Sequence, residues 1–118
     1  MVLADTSVWI DHFRKGNERL RKLLIEGSIL CHPFVLGELA CGNLRNRDEI
    51  LTMLSALPEV KIADHNEVLF FISKYKLHGK GIGWIDAHLL ASSFLTGCKL
   101  WTLDKAFAEV SKNLGVAL

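Results

Sequence analysis

Short apolar stretches alternate with longer stretches of helical periodicity along the chain, and this alternation is the strongest constraint on its fold. The apolar stretches have the length of strands and occur, in chain order, as VLA, SILCH, VKIAD, KLWTLD and VAL. Strands that alternate with helices favour a parallel sheet, because a crossover helix returns the chain to the end of the sheet at which it started. We therefore predict the α/β class, with a three-layer α/β/α arrangement and a mostly parallel central sheet.

Glycine, asparagine and proline residues mark the ends of the predicted helices. Gly16 and Asn17 interrupt an apolar pattern that runs from residue 7 to residue 25, which predicts two helical pieces there. Pro33 suits the first turn of the next helix, and Pro58 follows the end of another. The remaining helical patterns cover residues 33–43, 47–57, 65–77, 85–97 and 105–115.

Length and composition limit the class of protein. The 118 residues suit a single domain, 1–118, with its own hydrophobic core. No apolar run is long enough to cross a bilayer and no signal-peptide pattern precedes the first strand, so we expect a soluble cytoplasmic protein.

Cys31, Cys41 and Cys98 show no close pairing, which argues against a disulfide framework or zinc knuckle and predicts core thiols. The net charge of +1 neither requires nor excludes nucleic acid.

Four carboxylates stand where chemistry is expected. Asp5 and Asp104 each follow a predicted strand and precede a helix, so they converge if those strands are neighbours. Glu38 lies in the apolar stretch GELACG, where a buried acid needs a cation, a hydrogen-bonding partner or solvent. Asp86 opens the helix after the glycine-rich stretch HGKGIGW. Each has a structural alternative, since the aspartates can cap helices and Glu38 can face water.

The stretches LADTSVWIDHF, GELACG, WIDAHLLASS and LWTLDKAF resemble the successive acidic motifs of the PIN-domain nucleases, especially the single-domain VapC toxins of bacterial and archaeal toxin–antitoxin modules. The resemblance covers essentially the whole chain. It implies four acidic residues that bind metal and carry catalysis, and two hydroxyl residues that support them. These are Asp5, Glu38, Asp86 and Asp104, with Ser7 and Thr102 as the hydroxyl residues.

The resemblance also implies the reaction and the partners. It implies hydrolysis of RNA phosphodiester bonds by an activated water, with Mg²⁺ as the cofactor and Mn²⁺ as the alternative, leaving a 5′ phosphate and a 3′ hydroxyl. A cognate antitoxin would hold the enzyme inactive, and the chain would form a homodimer without contacting a membrane. The residue types agree, because clustered carboxylates repel one another unless protons or a hard cation are bound. Such a cation lowers the pKa of an attacking water, and Ser7 and Thr102 would orient its ligands.

Two other functions are alternatives to a nuclease. A catalytically silent PIN-like module would bind RNA or a protein without cutting, but it gains nothing from concentrated negative charge where phosphate must approach. A phosphotransfer enzyme or phosphatase using Asp5 would need a second aspartate that the stretch DTS lacks. The stretch GKGIG lacks the lysine followed by Ser or Thr of a phosphate loop, and no histidines stand at zinc spacing. A basic cluster bordering the acidic residues would attract phosphate, and Trp84 is the best candidate for stacking on a base.

Overall fold

A parallel three-stranded sheet forms the centre of the protein, whose computed structural model describes all 118 residues. The strands are β1 (Val2–Ala4), β2 (Ile29–Leu30) and β3 (Lys99–Trp101), in the order β2-β1-β3. Single parallel bridges extend both edges, from Cys31 to Glu59 and from Leu100 to Ala117. The predicted α/β class and parallel sheet are therefore confirmed. Because β1 is central, its carboxyl end lies beside the carboxyl ends of both neighbours.

Seven helices connect and cover the strands. The first break falls where it was predicted, because Gly16 has a left-handed φ of 79° and the Asn17 side chain caps the second helix by accepting a hydrogen bond from the Leu20 N–H. Pro33 occupies the first turn of the third helix, as predicted. The helices are α1 (Thr6–Lys15), α2 (Glu18–Ile25), α3 (Pro33–Cys41), α4 (Arg47–Ser55), α5 (His65–Lys74), α6 (Trp84–Thr96) and α7 (Lys105–Asn113).

Two of the predicted strands are wrong or much shorter than expected. In the stretch VKIAD no residue belongs to a strand, because the Lys61 N–H donates to the Thr96 hydroxyl at 2.8 Å and not to a neighbouring strand. Only Glu59, just before that stretch, pairs with the sheet. The final stretch VAL contributes only the bridge of Ala117. The sheet is thus narrower than its sequence pattern indicates.

The hydrophobic core surrounds β1, all of whose residues are buried. The largest fully buried side chains are Trp9 of α1 and Phe107 of α7, which pack from the helices that follow β1 and β3. Cys31 and Cys98 are buried as predicted, whereas Cys41 at the end of α3 is exposed, so that part of the prediction is wrong. Because Trp9 and Phe107 pack in the same core, they fix the ends of β1 and β3 relative to each other.

No helix has the length and apolar character needed to cross a membrane.

Candidate active site

Asp5 and Asp104 lie at the carboxyl ends of the paired strands β1 and β3. The Asp5 N–H donates to the Trp101 carbonyl at 2.9 Å, which joins the two strand ends directly. Both residues also cap helices, since Asp5 accepts from the Ser7 N–H at 3.0 Å and Asp104 from the Phe107 N–H at 2.8 Å. Both residues are therefore helix caps, and their shared position at the strand ends is the one that an active-site role requires.

Two hydroxyl groups hold the Asp5 carboxylate in place. Thr102 donates from Oγ1 to Asp5 Oδ2 at 2.6 Å and accepts from the Asp104 N–H at 3.0 Å. Ser7 donates from Oγ to Asp5 Oδ1 and accepts from the Leu103 N–H at 2.9 Å. Asp5 is only 6% exposed, so these donors replace water around a buried charge. The predicted supporting residues Ser7 and Thr102 thus connect the β1–α1 turn to the β3–α7 turn.

Glu38 reaches the same region from α3. Its Oε1 accepts a hydrogen bond from the Thr6 hydroxyl at 2.8 Å, and its side chain is exposed to solvent. An acid in this apolar stretch was expected to need a cation, a hydrogen-bonding partner or solvent, and the structure provides the last two. The packing of α1 against α3 brings the Glu38 carboxylate to Thr6, the residue that follows Asp5.

Asp86 completes the acidic cluster from the first turn of α6, where its Oδ2 accepts from the Gly83 N–H at 3.1 Å. Burial raises the pKa of the Asp86 carboxyl above its ordinary value, and the hydrogen bond from Gly83 opposes this change. The negative charges of Asp5, Asp104 and Glu38 raise the pKa further. Asp86 is therefore close enough to each of the other three predicted acidic residues to interact with it electrostatically.

The cluster has the ligand chemistry of a hard cation. Glu38, Asp86 and Asp104 each use one carboxylate oxygen in the hydrogen bonds above and keep the other without a partner in the protein. Carboxylate oxygens are what Mg²⁺ and Mn²⁺ prefer. No group of three or more acidic, histidine or cysteine side chains is close enough together to hold an ion directly. Magnesium keeps several waters and takes few carboxylates directly, so these residues fit such an ion with water between some of them and the metal.

Some features of the site carry no sequence signal. The contact between Thr6 and Glu38 depends on how two helices pack, and no spacing along the chain indicates it. His32 and His88 are buried, with their ring centroids 6.4 Å apart. Burial, together with the proximity of His88, lowers the pKa of His32 to about 4, so its ring is neutral at neutral pH.

Comparisons with known proteins identify the family of the chain. A family model described as PIN domain matches residues 2–113. The chain is 43% identical over 119 aligned residues to Ribonuclease VapC32 of Mycobacterium tuberculosis strain CDC 1551 / Oshkosh, and the alignment covers 100% of this chain and 96% of that protein. The Ribonuclease VapC32 of strain ATCC 25618 / H37Rv gives the same identity and coverage. The chain therefore belongs to the PIN-domain family, among its VapC-type members.

Proposed function

We propose that this protein is a metal-dependent endoribonuclease toxin that hydrolyses RNA phosphodiester bonds and is neutralised by a cognate antitoxin. The observation that carries the proposal is the arrangement at the carboxyl ends of β1 and β3, where the Thr102 hydroxyl links Asp5 to Asp104 by hydrogen bonds. The negative charges of Asp5, Asp104 and Glu38 there disfavour the charge of Asp86. Such mutual repulsion is unfavourable unless a cation offsets it. The relatives named as ribonucleases support RNA as the substrate.

In this proposal Asp5, Glu38, Asp86 and Asp104 are the catalytic, metal-binding residues. A bound Mg²⁺, or Mn²⁺ in its place, would supply the positive charge that lowers the pKa of the attacking water and offsets charge on the phosphate. The free oxygens of Glu38, Asp86 and Asp104 would orient that water and accept its proton. Ser7 and Thr102 act as positioning residues, because they fix both oxygens of Asp5.

The proposed partners follow from the family and from the exposed apolar surface. The chain would act as one PIN domain over residues 1–118, in the cytoplasm, and would form a homodimer. A groove of about 450 Å³ between α5 and α6 exposes Phe70, Phe94 and Leu95, with 67%, 37% and 45% of each residue accessible. Apolar surface of this kind is typical of a protein interface. It supports association with a second copy of the chain.

Cleavage of RNA by the antitoxin-free protein tests the proposal. A mixed pool of single-stranded RNA would be incubated with Mg²⁺, with Mn²⁺ and with a chelator, using the wild type, Asp5→Asn and Asp86→Asn. Asp48→Asn is the matched control, because Asp48 is a fully exposed acid in the first turn of α4. We expect cleavage that requires metal and is lost in the two site variants alone.

The same experiment addresses the alternative function. Undiminished cleavage by both site variants would refute the proposed catalytic residues. Retained RNA binding by a wild type that never cleaves, with or without metal, would instead favour a catalytically silent binding module.

A further inference from the structure

Glu38 lies between two grooves of different chemistry. A groove of about 540 Å³ runs between α1 and the turn over residues 42–46, and Arg14 and Arg45 line it together with Glu38. We call it the cationic groove. A second groove, of about 660 Å³, lies between α3 and the start of α6, where Phe34 and Trp84 line it, again with Glu38. We call it the aromatic groove. A chain molecule that passes over Glu38 can therefore occupy both.

The cationic groove offers guanidinium groups that no other side chain uses. Arg14 and Arg45 are exposed and form no ion pair in the protein, whereas Lys15, Arg21 and Arg47 each pair with a carboxylate. A guanidinium group binds a phosphate through two parallel hydrogen bonds. Two unpaired arginines beside Glu38 can therefore attract a phosphate backbone next to carboxylates that otherwise repel it.

The aromatic groove offers two ring surfaces that neighbouring rings hold in place. Trp84 and Phe34 are 38% and 39% exposed. Both pack on the buried ring of His88, with centroid distances of 4.6 Å for Trp84 and 4.7 Å for Phe34. His65 packs on Trp84 at 4.9 Å. Half-exposed rings that are fixed by their neighbours can stack on an unpaired base without losing much side-chain freedom.

We propose that an RNA single strand crosses the site over Glu38, with backbone phosphates on one side bound by Arg14 and Arg45 and an unpaired base on the other side stacked against Trp84 and Phe34. This inference rests on the proposed function and names the parts of the substrate that each groove binds. A base inside a duplex is already stacked on its neighbours, so the aromatic groove selects single strands.

The phosphate contacts are tested by the salt dependence of binding. A short mixed-sequence single-stranded RNA with a fluorescent label would be titrated with protein carrying Asp5→Asn, which keeps the RNA intact, in Mg²⁺ at several salt concentrations. We expect Arg14→Gln and Arg45→Gln each to reduce the slope of log K against log salt by about 0.7. Arg21→Gln is the control of equal charge change, because Arg21 lines a different groove on α2 and is paired with Glu18. Equal slopes for all three variants would overturn the phosphate contacts.

The stacking contact is tested by comparing single-stranded with double-stranded RNA. We expect Trp84→Leu to weaken binding of the single strand about tenfold and to leave binding of a duplex of the same sequence unchanged. Trp84→Phe keeps a ring and should retain most of the affinity, which separates stacking from a folding defect at the start of α6. Ile62→Ala, at an exposed apolar residue outside both grooves and outside the groove between α5 and α6, is the control. Equal single-strand affinities for the Trp84→Leu and Ile62→Ala proteins would overturn the stacking contact.

The outcomes separate this inference from the proposed nuclease. If the wild type does not cleave RNA but the arginine and tryptophan effects on binding are present, the nuclease proposal fails and the RNA path stands. If the wild type cleaves and none of the variants differs from its control, the nuclease stands and the path is wrong. In the second case the two grooves would be free for a protein segment and not for RNA.

Discussion

Replacement of Thr102 by valine tests how the active site is held together. The Thr102 hydroxyl donates to Asp5 at 2.6 Å and accepts from the Asp104 N–H at 3.0 Å, so one atom positions two of the proposed metal-binding residues. Valine has nearly the same shape and removes only the hydroxyl. Thr102→Val therefore leaves a buried carboxylate short of one donor and a backbone N–H without its acceptor. Thr102→Ser keeps the hydroxyl and is the matched control.

The size of the effect follows from these two bonds. A hydrogen bond to a charged group contributes about 1.5–3 kcal/mol, and a neutral bond about 1 kcal/mol. The Asp104 N–H is near solvent and water can replace part of its bond. We therefore expect Thr102→Val to lower the free energy of unfolding of the metal-free protein by about 2–3 kcal/mol. Loss of a group that orients a metal ligand also weakens metal binding by about 10–100-fold.

Two measurements check this prediction. Urea unfolding in chelator gives the change in stability, and the Mg²⁺ concentration for half-maximal RNA cleavage gives the change in metal affinity. A purely structural role for Thr102 would change only the first, whereas a positioning role changes both. If Thr102→Val and Thr102→Ser need the same Mg²⁺ concentration, Thr102 does not position the metal ligands.

Two further perturbations address the loop before α6 and the buried histidine. Gly81 has a φ of 79° and a Cβ there would lie 3.4 Å from the Ala106 Cβ, so we expect Gly81→Ala to lower the free energy of unfolding by about 1–2 kcal/mol. Gly83→Ala, at an extended residue with open space, should change stability by much less; equal losses in urea unfolding would contradict this. The pKa of His32 is about 4 in the folded protein and 6.5 when unfolded. Above about pH 6.5 the ring is neutral in both states and stability is at its full value. As the pH falls toward 4, the unfolded chain binds a proton that the folded protein does not, which lowers the free energy of unfolding by about 3 kcal/mol in total. His32→Asn keeps an acceptor at the start of α3 and should flatten this loss between about pH 7 and about pH 4.5; an unchanged pH dependence of unfolding would refute the assignment to His32.

Local pattern was enough to predict the class of fold but not the extent of the sheet. The strands around β1, β2 and β3 were identified because they are short apolar stretches with turn residues or a capping aspartate at their ends. The stretch VKIAD has the same character but lies in a loop, because the Thr96 hydroxyl takes the Lys61 N–H that a strand would use. That contact joins residues 35 positions apart, and no local pattern indicates it.

Only part of the candidate site could be predicted from the sequence, because contacts between distant residues leave no local pattern. Asp5 and Asp104 follow strands, and pairing of those strands is enough to bring them together. Glu38 and Asp86 lie on helices, so their approach depends on helix packing, and only the resemblance to the PIN family placed them in the site. The cationic and aromatic grooves were not predicted as such. Arg45 forms a basic cluster with Arg47 in the sequence, and only the structure places Arg45, with Arg14, beside Glu38.

The two interpretations of Asp86, helix cap and metal ligand, predict opposite effects on stability. A carboxylate in the first turn of a helix that accepts from the backbone is stabilising, and its neutralisation should destabilise the protein by about 0.3–1 kcal/mol. Glu67 is the matched case on α5, because it too is the third residue of its helix and accepts from the cap residue, Asp64, at 3.0 Å.

Asp86 has the same bond but also faces three other carboxylates and is partly buried, and both factors disfavour its charge. We therefore expect Glu67→Gln to lower and Asp86→Asn to raise the free energy of unfolding in chelator. Saturating Mg²⁺ should stabilise the wild type and the Glu67→Gln protein, and have much less effect on the Asp86→Asn protein. Parallel losses of stability in the two variants, with an equal response to Mg²⁺, would mean that Asp86 is a helix cap and no more. A gain confined to Asp86→Asn would mean that the folded protein tolerates an unfavourable charge at this position because a cation is bound there during function.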